Sequence, residues 1–168
     1  MTRLILFLFS FILAWMITNI HAQASSHSNS CTNRPLTFEN WRSYTKVTPK
    51  PIASKGHGNT WVEIYVDDLA KAPYLAATAP YPECATIVKA HYSDESGTNQ
   101  TSNLAIMVKM PPGYDPENAD WWYGKYDTSG TKSKKQGKLF YECIACHRGA
   151  SETDYLFSKE VMAEINKE

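Results

Sequence analysis

The chain has 168 residues, 43% of them apolar, with neither its nine prolines nor its eight glycines in excess, the composition of one ordinary globular domain long enough to bury a core. Seventeen Lys and Arg balance seventeen Asp and Glu. The net charge therefore gives no electrostatic reason for a nucleic acid or an acidic membrane surface as partner, and no nucleic-acid role is expected.

The N-terminus opens with Met1, Thr2 and Arg3, continues through an apolar run over 4–15 and a weaker stretch to Ile20, and reaches Ala22-Gln23-Ala24. Positive end, greasy middle and small-x-small site are the order of a secretory signal, with cleavage after Ala24. This predicts a signal segment over 1–24 and a mature chain in the periplasm. The competing reading is a retained N-terminal anchor facing the periplasm, although 4–20 falls just short of the roughly 20 residues a spanning helix needs. Residues 25–35 are polar and mostly aperiodic and are read as a flexible mature N-terminus, followed by a single domain over 36–168.

Thr37 or Asn33 can cap a short helix running to Tyr44, with Phe38, Trp41 and Tyr44 on one face. Pro49, Pro51, Gly56 and Gly58 mark a loop. Four segments, 61–66, 85–92, 103–110 and 121–126, are rich in β-branched and aromatic residues and separated by breakers such as Pro82, Gly97 and Pro111-Pro112-Gly113. The connections are too short for parallel crossovers, so antiparallel pairing is expected. A short helix interrupted at Pro73 is expected over 68–77, and a terminal one over 158–167 with Ser158 as cap. Lys132, Lys134, Lys135 and Lys138 fall in a stretch that reads as a solvated loop, or as a docking patch for an acidic electron-transfer partner. The fold class is therefore α+β: a mainly antiparallel β-sheet flanked by a few helices.

Cys143-Ile144-Ala145-Cys146-His147 is the attachment pattern of a c-type haem. On a helical turn these three side chains lie three and four residues apart and share a face, so both thiols can reach vinyl groups while the imidazole reaches the iron. The alternatives are a redox dithiol, which wants an alternating α/β setting, and half of a zinc site, which wants a second ligand pair. The sequence offers neither, and export supplies a compartment suited to haem attachment. One haem c is expected, bound through Cys143 and Cys146 with His147 as axial ligand, its second ring nitrogen donating to a carbonyl or carboxylate. Cys31 and Cys84 remain as an even pair in an oxidising compartment, which favours a disulfide over two free thiols.

The motif lies about 20 residues from the C-terminus, unlike the N-terminal placement of the common all-helical electron-transfer cytochromes. Four strand candidates upstream also argue against a four-helix bundle, leaving a haem on a C-terminal helix packed against an antiparallel sheet. Together with Trp61-Val62-Glu63-Ile64-Tyr65-Val66, Tyr81-Pro82-Glu83, Ile87-Val88-Lys89, Asp120-Trp121-Trp122-Tyr123-Gly124 and Thr153-Asp154 before Phe157, the pattern resembles the cytochrome P-460 family, which includes the cytochromes c′-β. The resemblance spans about 37–157. It implies a mainly antiparallel fold, often a homodimer, and a five-coordinate haem with an open distal side. P-460 proteins oxidise hydroxylamine to nitrous oxide with nitric oxide as co-reactant, while the c′-β relatives bind nitric oxide and similar gases. It also implies that Lys89 forms a third covalent link to the haem. Two positions depart from the pattern: relatives often carry glycine where Cys84 stands and glutamate where Ala90 stands.

The sixth iron position has candidates in His57, His91, Met107 and Met110, and Met162 follows the motif; each also has a purely structural reading. His91 shares a strand face with Ile87 and Lys89 and is the candidate catalytic base, or else a rim histidine. Trp61, Tyr65, Trp121, Trp122 and Tyr123 suit a wall around a flat cofactor or a core without one. Arg148 is either a haem-propionate partner or an exposed arginine. Three function classes follow: hydroxylamine oxidoreductase with a cytochrome as electron acceptor, gas-binding protein, and plain electron-transfer cytochrome.

Overall fold

The computed structural model describes residues 31–32, 36–137 and 140–167; the expected signal segment over 1–24, most of the N-terminal tail and Lys138 lie outside the described residues. Among the described residues no helix is long and apolar enough to cross a membrane.

Among the described residues seven strands form one antiparallel sheet: β1 (Thr45–Lys46), β2 (Ile52–Ser54), β3 (Thr60–Val66), β4 (Thr86–Tyr92), β5 (Gln100–Lys109), β6 (Trp121–Tyr126) and β7 (Ser133–Gln136). Their order is β1-β3-β4-β5-β6-β7, with β2 also pairing β3. Three α-helices among the described residues accompany them: α1 (Asp68–Ala76), α2 (Tyr141–His147) and α3 (Ser158–Ile165). The architecture is α+β.

Strand alternation divides the sheet into two buried faces. On one, Val62, Ile64, Val66, Ile87, Met107, Trp121 and Tyr123 meet Ile144 of α2 and Val161 of α3. On the other, Val88, Ala90, Leu104, Ile106, Val108, Trp122 and Tyr126 are covered by the N-terminal segment through Leu36, Phe38 and Trp41. That segment is held by Phe38 N–H to the Gly130 carbonyl, by Tyr126 Oη to the Leu36 carbonyl at 2.7 Å, and by Trp41 Nε1 to the Thr128 carbonyl at 3.1 Å. A disulfide joins Cys31 to Cys84 with their Cα atoms 5.6 Å apart. With a sequence separation of 53, closure of that loop contributes about 4 kcal/mol in the chain-entropy account. Cys84 has φ +65°, the left-handed conformation for which glycine is the undemanding choice, so the turn survives although the side chain is cysteine.

Several expectations need correction. The helix expected to run to Tyr44 is only a 3-10 turn at Trp41–Ser43; Phe38 and Trp41 are buried, but by lying across the sheet. Pro73 does not interrupt α1, which starts on an Asp67 cap accepting from Ala70 N–H at 2.8 Å and ends at Ala77 in the left-handed region. Ser158 is the first residue of α3 rather than its cap, which is Phe157. The lysine-rich stretch contains β7, a fully exposed edge strand. Its alternation is invisible in the sequence because neither face is buried, and lysines on an edge are what blunts further pairing. The two-residue β1 and three-residue β2 were too short for periodicity to register.

A Cβ at Gly130 (φ +74°) would lie 2.4 Å from the Phe38 carbonyl oxygen, whereas one at Gly113 (φ +94°) meets nothing within 4 Å. Gly113→Ala is expected to cost about 1 kcal/mol from backbone strain alone, and Gly130→Ala about 3 kcal/mol because the Phe38 backbone must also move. Urea unfolding of the two variants checks the difference; equal losses would contradict this account of the N-terminal segment.

Candidate functional site

The site lies on the α2 and α3 face of the sheet. Helix α2 turns Cys143, Cys146 and His147 to one side by their spacing, with Cys143 half-buried, Cys146 exposed and His147 buried. Neither thiol is in a disulfide. His147 Nδ1 lies 2.6 Å from the Tyr155 carbonyl oxygen. A carbonyl only accepts, so Nδ1 carries the proton and Nε2 keeps its lone pair, the form in which an imidazole ligates a metal. Tyr123 and Phe157 meet the imidazole in edge-on contacts at ring-centroid distances of 5.6 and 5.3 Å, fixing its plane. Burial, and next to it the Lys89 charge, lowers His147 to about 4, against the opposing pull of the Tyr155 hydrogen bond, so the ring is neutral at neutral pH.

The facing wall comes from β4, all seven residues of which are buried. Lys89 pairs with Ile64 on one side and Ala105 on the other, and His91 pairs with Val62. The β4–β5 register shifts between Ala90 and Tyr92, so His91 sits at a bulge, a device that re-aims a side chain. Among the described residues Lys89 has no hydrogen-bond or ion-pair partner. Burial lowers it to about 8, with Cys146 and Cys143 acting in the opposite direction. His91 Nε2 is buried without a partner. Burial, then Lys89 and Lys125, lowers His91 to about 4. His57 reaches the same wall from the 3-10 turn at Lys55–His57, its ring 5.1 Å from that of His91 and edge-on to it. Ser54 Oγ holds its Nδ1 at 2.8 Å. Burial, followed by Lys89 and His91, lowers His57 to about 2, so it too is neutral.

Between these walls is a cavity of about 1290 Å³ that Lys89, His91, His57, Cys143, Cys146 and His147 all line. That exceeds the roughly 300–1,000 Å³ usual for small-molecule sites and suits a large flat cofactor. The residues present fit a c-type haem: two free thiols and a neutral imidazole on one helical face, apolar walls from Val62, Ile64, Phe140 and Val161, and an orphaned histidine nitrogen across the cavity. Among the described residues no three or more His, Cys, Asp or Glu side chains gather into a site for a bare metal ion, so the zinc alternative lacks its second ligand pair.

The other candidates disperse. Met107 and Met110 are buried in the two separate cores and do not line the cavity. Met162, on α3, packs against the core. Trp61 borders the cavity and Trp121 and Tyr123 support its face of the sheet, whereas Trp122 lies in the opposite core and Tyr65 packs on Trp41 there. Arg148 is exposed and donates to Asn118 Oδ1 at 3.0 Å, away from the cavity. Sequence reasoning missed the contact of His57 with His91 and the Lys125 side chain on the rim. Lys125 was legible in principle, standing two residues from Tyr123 on the same face of β6.

A buried, unpartnered lysine costs stability. Its folded value of about 8, against 10.5 for the free side chain, means that the unfolded chain binds the proton more tightly over this window. Stability is therefore lost as pH falls from about 10.5 to 8 and stays lost below. Lys89→Met in the chain produced without haem attachment is expected to gain about 2–3 kcal/mol at pH 7. Urea titration at pH 7 measures it, and no gain would show that Lys89 is solvated.

No curated protein matches the chain. The family model described as Cytochrome P460 matches residues 35–158, most of the chain, and takes in β1 to β7, the attachment motif and Tyr155. The chain therefore belongs to the cytochrome P460 family and is a c-type haem cytochrome.

Proposed function

We propose that this protein oxidises hydroxylamine, with nitric oxide as co-reactant and nitrous oxide as product, at one haem c held covalently by Cys143 and Cys146 and ligated by His147. The observation that carries the reading is Lys89: fully inside the sheet, without a partner, and lining the same cavity as the two cysteines. A lysine whose ammonium is destabilised by burial presents a neutral amine at modest pH, the form needed for a third covalent link to the porphyrin edge. An ordinary strand lysine would instead lay its stem along the surface and keep its charge in water.

When bound, the haem supplies the redox chemistry and a coordination site for small ligands. The chain does the rest. His147, with its tautomer set by the Tyr155 carbonyl, keeps an Nε2 lone pair that would hold the haem iron. Val62, Ile64, Phe140 and Val161 supply the apolar part of the wall. Hydroxylamine and nitric oxide together give nitrous oxide, water, a proton and one electron. His91, neutral and with Nε2 unpartnered, is the group that takes the proton, and His57 beside it is held by Ser54. The electron leaves to an external acceptor, in keeping with a small cytochrome partner. Export to the periplasm and a homodimeric state belong to the same reading.

The deciding experiment compares wild type and Lys89→Leu as purified holoproteins. The variant is expected to keep covalent haem, to lose the perturbation of the ferrous absorption spectrum, and to lose hydroxylamine oxidation by at least about 100-fold, while Cys143→Ala combined with Cys146→Ala leaves a haem-free chain. A Lys89→Leu protein with unchanged spectrum and turnover would move the chain to the gas-binding side of the family. His91→Ala is expected to lower turnover by about 10²- to 10⁴-fold and to remove the acidic limb of its pH profile. An unaltered profile would reduce His91 to a rim residue.

A further inference from the structure

Tyr155 supplies the carbonyl that fixes His147, yet it and Asp154 before it stand in the left-handed region, at φ +67° and +52°. Two successive left-handed residues bearing side chains are disfavoured and persist only where surrounding contacts impose them. The contacts here converge on the Asp154 side chain, which is buried. Lys109 Nζ, at the end of β5, donates to both carboxylate oxygens at 2.7 Å. Tyr81 N–H, ahead of β4, donates to Oδ2 at 2.9 Å. Trp121 Nε1, at the start of β6, donates to the Asp154 carbonyl at 2.8 Å. Tyr155 N–H closes the turn on the Ala150 carbonyl at 2.8 Å. Two strand residues and one loop residue ahead of β4 thus grip Asp154, and the next residue grips the imidazole.

A buried ion pair is weak support for stability as such, because desolvation offsets its attraction; its better-attested use is to fix one arrangement over others. We propose that Asp154 and Lys109 are positioning residues for the haem ligand: they hold the Asp154–Tyr155 turn so that the Tyr155 carbonyl accepts the hydrogen bond from His147 Nδ1–H, and thereby set the strength of the bond from Nε2 to iron. The inference rests on the reading of His147 as axial ligand. An imidazole donating to a strong acceptor gains anionic character and stabilises ferric iron, so loosening the turn weakens the iron–histidine bond and raises the reduction potential.

The test uses holoprotein, with resonance Raman of the ferrous iron–histidine stretch and a redox titration as readouts. Asp154→Ala is expected to move the stretch to lower frequency and the potential upward. Should that variant fail to load haem, Asp154→Asn keeps the shape but turns one acceptor into an amide donor facing Lys109, Tyr81 N–H or Trp121, and is expected to shift both readouts less in the same directions. Lys109→Met should shift them too. Val108→Ala, in the opposite core, should lower thermal stability and move neither readout. Unmoved frequency and potential in Asp154→Asn and Lys109→Met would overturn the inference. A wild-type protein with no iron–histidine band at all would instead refute the ligation reading beneath it.

Discussion

A central strand buried on both faces tolerates few polar side chains, and β4 carries two on the face that looks at the helices. Lys89 and His91 are flanked by β3 and β5, so they cannot escape sideways to water, and the helical layer stands off far enough to leave a cavity rather than a packed core. Everything else about the site follows from that placement. Lys89 lowers the affinity of all three neighbouring imidazoles for a proton, and burial does the same more strongly, so His57, His91 and His147 are neutral together. Neutral imidazoles are what both a metal ligand and a general base require.

The two faces of the sheet divide the labour. The cavity face carries the candidate site and is not filled by side chains. The opposite face is densely aromatic, with Phe38 edge-on to Tyr126 at 5.2 Å and Trp41 edge-on to Tyr65 at 4.9 Å. It also houses Glu63, which accepts from Tyr65 and Tyr92 at 2.8 Å each and pairs with Lys46. Glu63 stands directly across from Ala90, the position where relatives often carry glutamate. A second carboxylate there would face Glu63 across the strand pair, a like-charge contact that destabilises a sheet. Alanine at 90 is thus coherent with Glu63 and need not signal a change at the haem site, because its side chain points away from the cavity.

The four long strands, the α+β class and the helical face presenting Cys143, Cys146 and His147 could be read from residue pattern because each rests on local physics: alternation on a half-buried strand, and recurrence every three or four residues on a helix. The attachment motif is the extreme case, since its chemistry depends on spacing within a single turn. Short or exposed elements escaped. β1 and β2 hold too few residues to show a period, β7 has no buried face to impose one, and Phe38 and Trp41 were placed on a helix because spacings of three also arise where a chain crosses a sheet.

The sequence by itself determined that the chain has one helical face bearing two cysteines and a histidine, several strands that must pair antiparallel, and a lysine and a histidine two residues apart on one of them. Only the tertiary structure decided that β4 is central, which is what buries Lys89 against the cavity and lowers its affinity for a proton. It also brought His57 against His91, 34 positions further along the chain, and set the Asp154–Lys109 pair behind the Tyr155 carbonyl. These depend on strand order and on the path of loops, and long-range pairings of that kind leave no periodic trace in the residues that make them.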